Sequence, residues 1–411
     1  MKLLFLHQNF PGQFKHLAPA LAARGDEVRA LYMDGSGHPS VSGVRYKLKR
    51  GNTNGIHPWA LDFESKMLRA EACAEAMRAL RDEGFVPDLI IAHPGWGETL
   101  CARDVFPTAR QLHFVEWYYH FTGGDVGFDP EFGTDDVEPG RVHSKNAIPL
   151  LALQDMDAGY SPTAWQRSKV PTNFRDRVDV VHDGVDTDVL LPHPGRTIHF
   201  NRDNLTLGQR DELVTFVNRN LEPLRGWHVF ARSLPKLMAA RPKAHVAIVG
   251  DTGVSYGQAA PGGKSWKDVL WQEVGDHVDM SRIHFLGKVP YAAFIQLLQS
   301  SSCHVYFTMP FVLSWSMLEA MSVGAIVVGS DTPPVREVIE HGVNGLLCPF
   351  RDQDALAHLV ADVLANQDQY AALRAAARET IVQRYDLKRV CLPAQLEMVD
   401  RLYQQGGREA A

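Results

Sequence analysis

Short, unbroken apolar runs recur along this chain with helical stretches between them. In the first half they are "KLLFLH" (2–7), "DEVRALYM" (26–33), "PDLIIAH" (87–93) and "ARQLHFVEW" (109–117). The rhythm restarts with "ELVTFVN" (212–218), "AHVAIVG" (244–250), "RIHFLGKV" (282–289), "CHVYFTM" (303–309), "AIVVGS" (325–330) and "GLLCPF" (345–350). Runs that stay apolar on both faces belong to sheets covered on both sides. Strands that alternate with helices imply parallel pairing through crossover helices. The expected fold class is therefore α/β, with two Rossmann-like doubly wound domains facing a cleft.

Between the two series, residues 186–212 are polar, carry Pro and Gly, and show no sustained period, which reads as an irregular interdomain connection. The expected domains are 1–190, 191–385 and a terminal helix, 386–411, returning to the first domain. "DLKRVCLPAQLEMVDRLYQQ" (386–405) is helical apart from Pro393. In "QFKHLAPALAARG" (13–25), Phe14, Leu17 and Leu21 share one helical face, Gly25 supplies the stop, and Pro19 is expected to weaken the helix. Residues 62–83 form a long amphipathic helix.

A length of 411 residues allows two or three domains with real cores. A formal net charge of −6 argues against an obligate nucleic-acid binder. The five cysteines are scattered without a CxxC pair, so neither a disulfide framework nor a zinc site is indicated, and a reducing cytoplasm is the simplest setting. The N-terminal apolar run is too short for a signal peptide and reads as a buried strand. No stretch approaches the roughly 18 apolar residues of a membrane span. The basic run "RYKLKRG" (45–51) leaves peripheral contact with an inner membrane face open, although a solvated strand and turn is the simpler account.

Phosphate fingerprints fail. "GWGETL" (95–100) lacks the third glycine of GxGxxG, and "GQAAPGGKS" (257–265) misses P-loop spacing by one residue. His7, His16, His93 and His113 show no metal spacing and read as ordinary polar residues. No metal site and no cofactor are expected, and a dehydrogenase is disfavoured.

Two stretches hold. In "FVLSWSMLEAMSVG" (311–324), Ser316-x-x-Glu319 spells a capping box, which accounts for Glu319 without a ligand. The competing reading is a helix start whose amides, at Ser314, Trp315 and Ser316, suit a diphosphate, with Glu319 accepting from a ribose diol. In "FVNRNLEPLRGWHVF" (216–230), Arg219 and Arg225 lie on a strand-to-helix loop where two guanidiniums can grip phosphate oxygens, and Gly226 lets the loop pass close to a ligand. Solvated surface arginines are the plain alternative.

These stretches resemble the family-4 retaining glycosyltransferases of the GT-B fold. The likeness lies in Arg219…Arg225-Gly226, in Glu319-Ala320-Met321-Ser322-Val323-Gly324, in "VREVIEHGVNGLL" (335–347), in "VHDGVDTDVLLP" (181–192) and in "PGQFKHLAPALAARGDEV" (11–28). It implies transfer of a sugar from a nucleoside-diphosphate donor, such as a UDP- or GDP-sugar, with retention and without metal, in glycan biosynthesis. By that carry-over Arg219 and Arg225 stabilise the leaving diphosphate, Glu319 holds ribose, and Ser316 and Met317 add amides. Main chain near Val289 meets the base, and the Gly12 loop lies on the acceptor side. The acceptor is unidentified: saccharide, lipid-linked or protein. Two departures stand out. Phe311 replaces the first carboxylate of the family's block, and Glu116 falls where relatives carry a site histidine, with His113 and His120 nearby. Glu116 would position a sugar hydroxyl or orient the acceptor. A sugar-nucleotide hydrolase or epimerase and a non-catalytic sensor are the alternatives.

Overall fold

The structure, a computed structural model, describes residues 1–132, 139–201 and 204–407. Two compact units divide it. The first comprises Met1–Phe121 and the described residues from 139 to Gly184 and from Leu387 to 407; the second comprises the described residues 122–132 and those from Val185 to Asp386.

The first unit holds a seven-stranded sheet: β1 (Lys2–Leu6), β2 (Glu27–Tyr32), β3 (Ser42–Arg45), β4 (Leu89–Ala92), β5 (Arg110–Phe114), β6 (Ala158–Ser161) and β7 (Val178–Val180). Its order is β3-β2-β1-β4-β5-β6-β7, every pair parallel. Leu3, Leu4, Phe5 and Leu6 are fully buried, so both faces of β1 are covered. One face carries the 22-residue helix Leu61–Asp82 through Cys73, Met77 and Leu80. The other is covered partly by Leu17–Ala23 and partly by Leu392–Gln404, whose Met398, Val399 and Leu402 join the core around Phe5 and Phe14. Arg24 grips Asp400 through two bonds of 2.8 and 3.0 Å, and Arg110 caps the last helix at the Gly406 carbonyl (2.9 Å).

Both prolines behave better than expected. Pro19 and Pro393 lie in the first turns of their helices, where a missing N–H costs nothing. The helix expected from residue 13 is instead a one-turn 3₁₀ segment, Gly12–Phe14, followed by the separate helix Leu17–Ala23. The basic run begins at Arg45, the last residue of the exposed edge strand β3, and continues as irregular chain in which Lys49 pairs with Glu75 and Arg50 with Glu64. No helix among the described residues is long and apolar enough to cross a membrane.

The second unit repeats the plan. Its strands are β10 (Leu213–Asn220), β11 (His245–Asp251), β12 (Ile283–Gly287), β13 (Cys303–Tyr306), β14 (Val327–Ser330) and β15 (Leu346–Cys348). They run parallel in the order β12-β11-β10-β13-β14-β15. Residues 186–212 are not wholly irregular. They contain an antiparallel hairpin, β8 (Thr197–Phe200) with β9 (Leu205–Gly208), while Arg202 and Asp203 lie outside the described residues. Ile198, Phe200, Leu205 and Leu207 alternate inward, a period of two that the surrounding charges and glycines mask.

Residues 122–132 pack within the second unit although they lie between stretches of the first. Asp129 accepts a 2.9 Å bond from His228 with both side chains buried, and Arg232 forks onto Glu131 at 2.6 Å twice. Phe132 sits edge-on to His228, and Phe128 against Phe350.

Candidate functional site

In an open parallel sheet, the crevice lies beyond the carboxyl ends of the strands where their order reverses. That point falls between β10 and β13 in the second unit and between β1 and β4 in the first. Each gathers a distinct group of side chains.

In the second unit the chain leaves β10 through Arg219 and Asn220, then turns at Pro223–Arg225 into the helix Trp227–Ala240. Gly226 makes that turn at φ +69°, and a Cβ there would lie 2.3 Å from the Phe307 Cβ, so only glycine fits. The turn directs Arg225 inward, where it is 5% exposed. Its Nη1 donates to Thr308 Oγ1 (2.8 Å) and to the Val312 carbonyl (2.9 Å). The guanidinium lies over the rings of Tyr256 and Phe311, at 5.1 and 5.8 Å from their centroids. Nε and Nη2 carry no protein hydrogen bond among the described residues and are left to meet an anion.

Two buried groups hold this arrangement. The Tyr306 hydroxyl accepts the Ser314 amide at 2.8 Å and lies 3.5 Å from Arg225 Nη1. Burial raises that phenol, Arg225 pulls it partly back, and the net shift is upward, so it stays protonated. Glu222 is fully buried. Its Oε2 accepts the three successive amides of Ser255, Tyr256 and Gly257 at 3.3, 3.3 and 3.2 Å, and Oε1 has no partner among the described residues. Asn220 clamps the same loop through the Gly253 amide (3.1 Å) and the Ser255 hydroxyl (2.5 Å). Tyr256 is thereby fixed over Arg225.

The helix Trp315–Ser322 begins after Ser314, not at Ser316, and has no side-chain cap. The capping box therefore does not form, because Glu319 sits two positions deeper than the third helical residue that such a box requires. Instead the Tyr291 hydroxyl donates to Glu319 Oε1 at 2.7 Å. Burial, then the neighbouring Glu319 charge, raises the Tyr291 phenol and keeps it a donor. The Ser314 amide is spent on Tyr306, which removes it from the expected phosphate amides. Ser316 and Met317 lie in the first turn, where no carbonyl four residues back is available inside the helix. Val289 lies in the loop between β12 and the helix Tyr291–Ser300.

In the first unit, His7 follows β1, His93 follows β4 and Glu116 follows β5. Glu116 Oε1 accepts from Gln13 Nε2 at 3.0 Å, and Oε2 lies 3.2 Å from His93 Nε2. Gln13 Oε1 is 2.7 Å from His7 Nε2. His93 stacks on Trp96 at 4.1 Å, and His7 meets the same indole at 4.9 Å. Burial pushes His7 down to about 3, with His93 adding to the drop. Burial would raise the Glu116 carboxyl, but the bonds from His93 and Gln13 and the nearby histidine dipoles hold it below the usual carboxylate value. Its side chain keeps 30% exposure.

The family described as "Glycosyl transferase family 4 group" matches residues 24–190, and "Glycosyl transferases group 1" matches residues 198–380. The chain belongs to the group 1 glycosyltransferases. It is 30% identical over 177 residues to the phosphatidyl-myo-inositol mannosyltransferase of Mycolicibacterium smegmatis, covering 42% of this chain and 41% of that one. Over 212 residues it is 28% identical to the D-inositol 3-phosphate glycosyltransferase of Mycobacterium avium, covering 51% and 46%. The chain thus spans less than half the length of these relatives. Among solved structures, sucrose-phosphate synthase from Thermosynechococcus elongatus superposes with a TM-score of 0.73 at 17% identity, covering 99% of this chain and 100% of that one. Anabaena Alr3699/HepE, solved in complex with UDP and glucose, gives 0.66 at 17% identity, covering 98% and 99%. These likenesses establish the GT-B fold.

Within this group 1 glycosyltransferase chain, the residues expected from sequence fall into separate places. Arg225 and Ser314 are joined through Tyr306. Arg219 is exposed, with no hydrogen-bond or ion-pair partner among the described residues. Glu319 pairs with Tyr291. Phe311, 3% exposed, packs at 5.3 Å from Tyr256 and completes the aromatic walls around Arg225. Of the three candidates near the end of β5, Glu116 reaches the switch point. His113 is fully buried against Gln111, and His120 lies 2.7 Å from the Lys169 carbonyl. Glu222, Tyr256, Tyr291 and Tyr306 were not singled out from sequence, and His7 and His93 were read as ordinary polar residues.

Proposed function

We propose that the chain is a glycosyltransferase that moves a sugar from a nucleoside-diphosphate donor to an acceptor hydroxyl. One observation carries the reading: Arg225, buried at the switch point of the second sheet, with Nε and Nη2 of its guanidinium unbonded among the described residues. Breaking the bond between the sugar's anomeric carbon and the phosphate oxygen leaves negative charge on the diphosphate. A fixed guanidinium stabilises that charge without reorganising at the moment of reaction. Arg219, unpaired at the strand end, adds a mobile cation, and the amides at Ser316 and Met317 add dipoles. Glu319, oriented by Tyr291, takes the ribose, and main chain at Val289 takes the base. On the first unit, Glu116 receives a substrate hydroxyl near the Gly12 loop.

Retention of configuration and independence from a metal belong to the proposal. Family likeness supports the first, and the cationic site supports the second. UDP in the Anabaena structure and the inositol acceptors in the names of the mycobacterial relatives set the first probes. A thermal-shift panel of UDP, GDP, ADP, TDP and NAD, with and without EDTA, tests the donor site. One diphosphate should raise the melting temperature equally in both conditions and fail in Arg225→Ala, with NAD inert. A panel without any diphosphate response overturns the reading.

A further inference from the structure

Two histidines of the first unit, His7 and His93, are locked into one tautomer by the backbone. His7 Nδ1 receives the Asn9 amide at 2.9 Å, and His93 Nδ1 receives the Gly95 amide at 3.1 Å. An amide can only donate, so Nδ1 is the acceptor in both rings and the proton of each neutral imidazole sits on Nε2. The His7 Nε2–H then donates to Gln13 Oε1. That fixes the Gln13 amide, because its oxygen must face His7 and its NH₂ must face Glu116. The His93 Nε2–H donates to the other Glu116 oxygen. Two donor chains thus converge on one carboxylate, one bond per oxygen.

Sequence around these residues is committed to the arrangement. A Cβ at Gly12 would lie 2.3 Å from the His7 ring, and one at Gly95 would lie 2.7 Å from the His93 ring. Neither position tolerates a side chain without displacing an imidazole. Trp96 walls both rings, and Phe14 closes the far side of His7. A carboxylate that served only the fold would be enclosed by such a shell. Glu116 instead keeps 30% of its side chain exposed.

We propose that His7, Gln13 and His93 are positioning residues that hold Glu116 in one orientation, with its remaining lone pairs presented outward to a hydroxyl of the saccharide or polyol substrate. The inference rests on the glycosyl-transfer reading. Glu116 acts as a fixed hydrogen-bond acceptor and not as a proton carrier, consistent with a carboxyl held below its usual range. The charged and titratable groups facing it are His93 at the end of β4 and His7 at the end of β1; Glu98 lies within electrostatic reach of His93. Burial keeps His7 neutral through the range where enzymes are assayed.

The test has two arms on the full-length protein. Long-range ¹⁵N–¹H spectra of the histidine-labelled wild type should show His7 and His93 as Nε2–H tautomers at pH 8, with His7 unchanged down to pH 5.5. An Nδ1–H tautomer at either residue overturns the relay whatever the protein's activity. The kinetic arm uses UDP-glucose or the donor of the responding diphosphate, with myo-inositol as the first acceptor probe. Removing a bond to a charged acceptor by His93→Phe should lower kcat/KM for the acceptor about 10- to 100-fold, leaving the donor Kd within about twofold. His93→Gln, which restores an N–H donor, should recover all but about threefold of the loss. Equal activity of wild type and His93→Phe, alongside an inactive Arg225→Ala, overturns the positioning role while leaving transfer intact. Loss of donor binding in His93→Phe would show a folding defect in place of positioning, and also counts against it.

Discussion

Replacing Glu222 with alanine isolates what holds Tyr256 over Arg225. The carboxylate is fully buried and takes three amides on one oxygen at 3.2 to 3.3 Å. A good bond to a charged acceptor contributes about 1.5–3 kcal/mol net, but three long bonds sharing one oxygen fall lower, at about 1 kcal/mol each. Residues 252–254 and 256–259 are exposed, so the released amides regain water, and Asn220 still pins Gly253 and Ser255. The expected net loss is about 1.5–2 kcal/mol, or roughly 3–8 °C for a unit of this size. Freed from its anchor, Tyr256 no longer confines the guanidinium, and affinity for the nucleoside diphosphate should fall about 3- to 10-fold. Glu222→Gln keeps an acceptor oxygen and should lose less than half as much on both counts. Calorimetric melting and titration with the responding diphosphate read the two effects. A Glu222→Ala protein that melts within a degree of wild type and binds the diphosphate equally well would refute the anchoring argument.

Arg225→Ala should weaken diphosphate binding about 100- to 1,000-fold by titration calorimetry, and Arg225→Lys should recover little, because an ammonium cannot bond Thr308 and Val312 and still reach the ligand. Gly226→Ala places a Cβ against Phe307 in a left-handed turn and should cost about 2–4 kcal/mol by denaturant melting. Burial depresses His7, His113 and His304 to about 3 and His182 to about 4, so between those values and the unfolded 6.5 the unfolded chain binds more protons. Stability is therefore complete above pH 6.5 and falls below it, by on the order of 1 kcal/mol per histidine at pH 5.5. A melting temperature that is flat between pH 8 and 5.5 would contradict it.

All six strands of the second sheet and β1, β2, β4 and β5 of the first were legible because parallel strands buried on two faces spell continuous apolar runs; β3, β6 and β7 escaped because they are three or four residues long, and β3 is exposed throughout. The hairpin at 197–208 escaped because its alternation is only four residues long on each side of a polar turn. Arg225 was visible through the spacing of its loop, whereas its aromatic walls, Tyr256 and Phe311, come from the loops after β11 and β13, remote in sequence. The capping-box alternative for Glu319 fails because the helix starts after Ser314, two residues before the Ser316 that the motif needs. The histidines carried a usable signal: "KLLFLH" and "PDLIIAH" each end an apolar strand in His, and the doubly wound order makes those strands neighbours. Reading the motif ends against strand order, and not along the chain, would have joined His7 to His93.

The helix Leu392–Gln404 closes a core whose other parts end by Gly184. During synthesis, the apolar face around Phe14, Leu17 and Leu21 therefore still lacks its cover when Gly184 has been made, and roughly 220 more residues must follow before the helix is complete. At about 5–20 residues per second, a nascent chain waits on the order of 10–45 s with that face open on the ribosome. A stop codon anywhere in the second unit leaves a first unit with a greasy flank, so translation of this gene is expected to lean on holding chaperones, and premature termination to yield inclusion bodies in place of a soluble half.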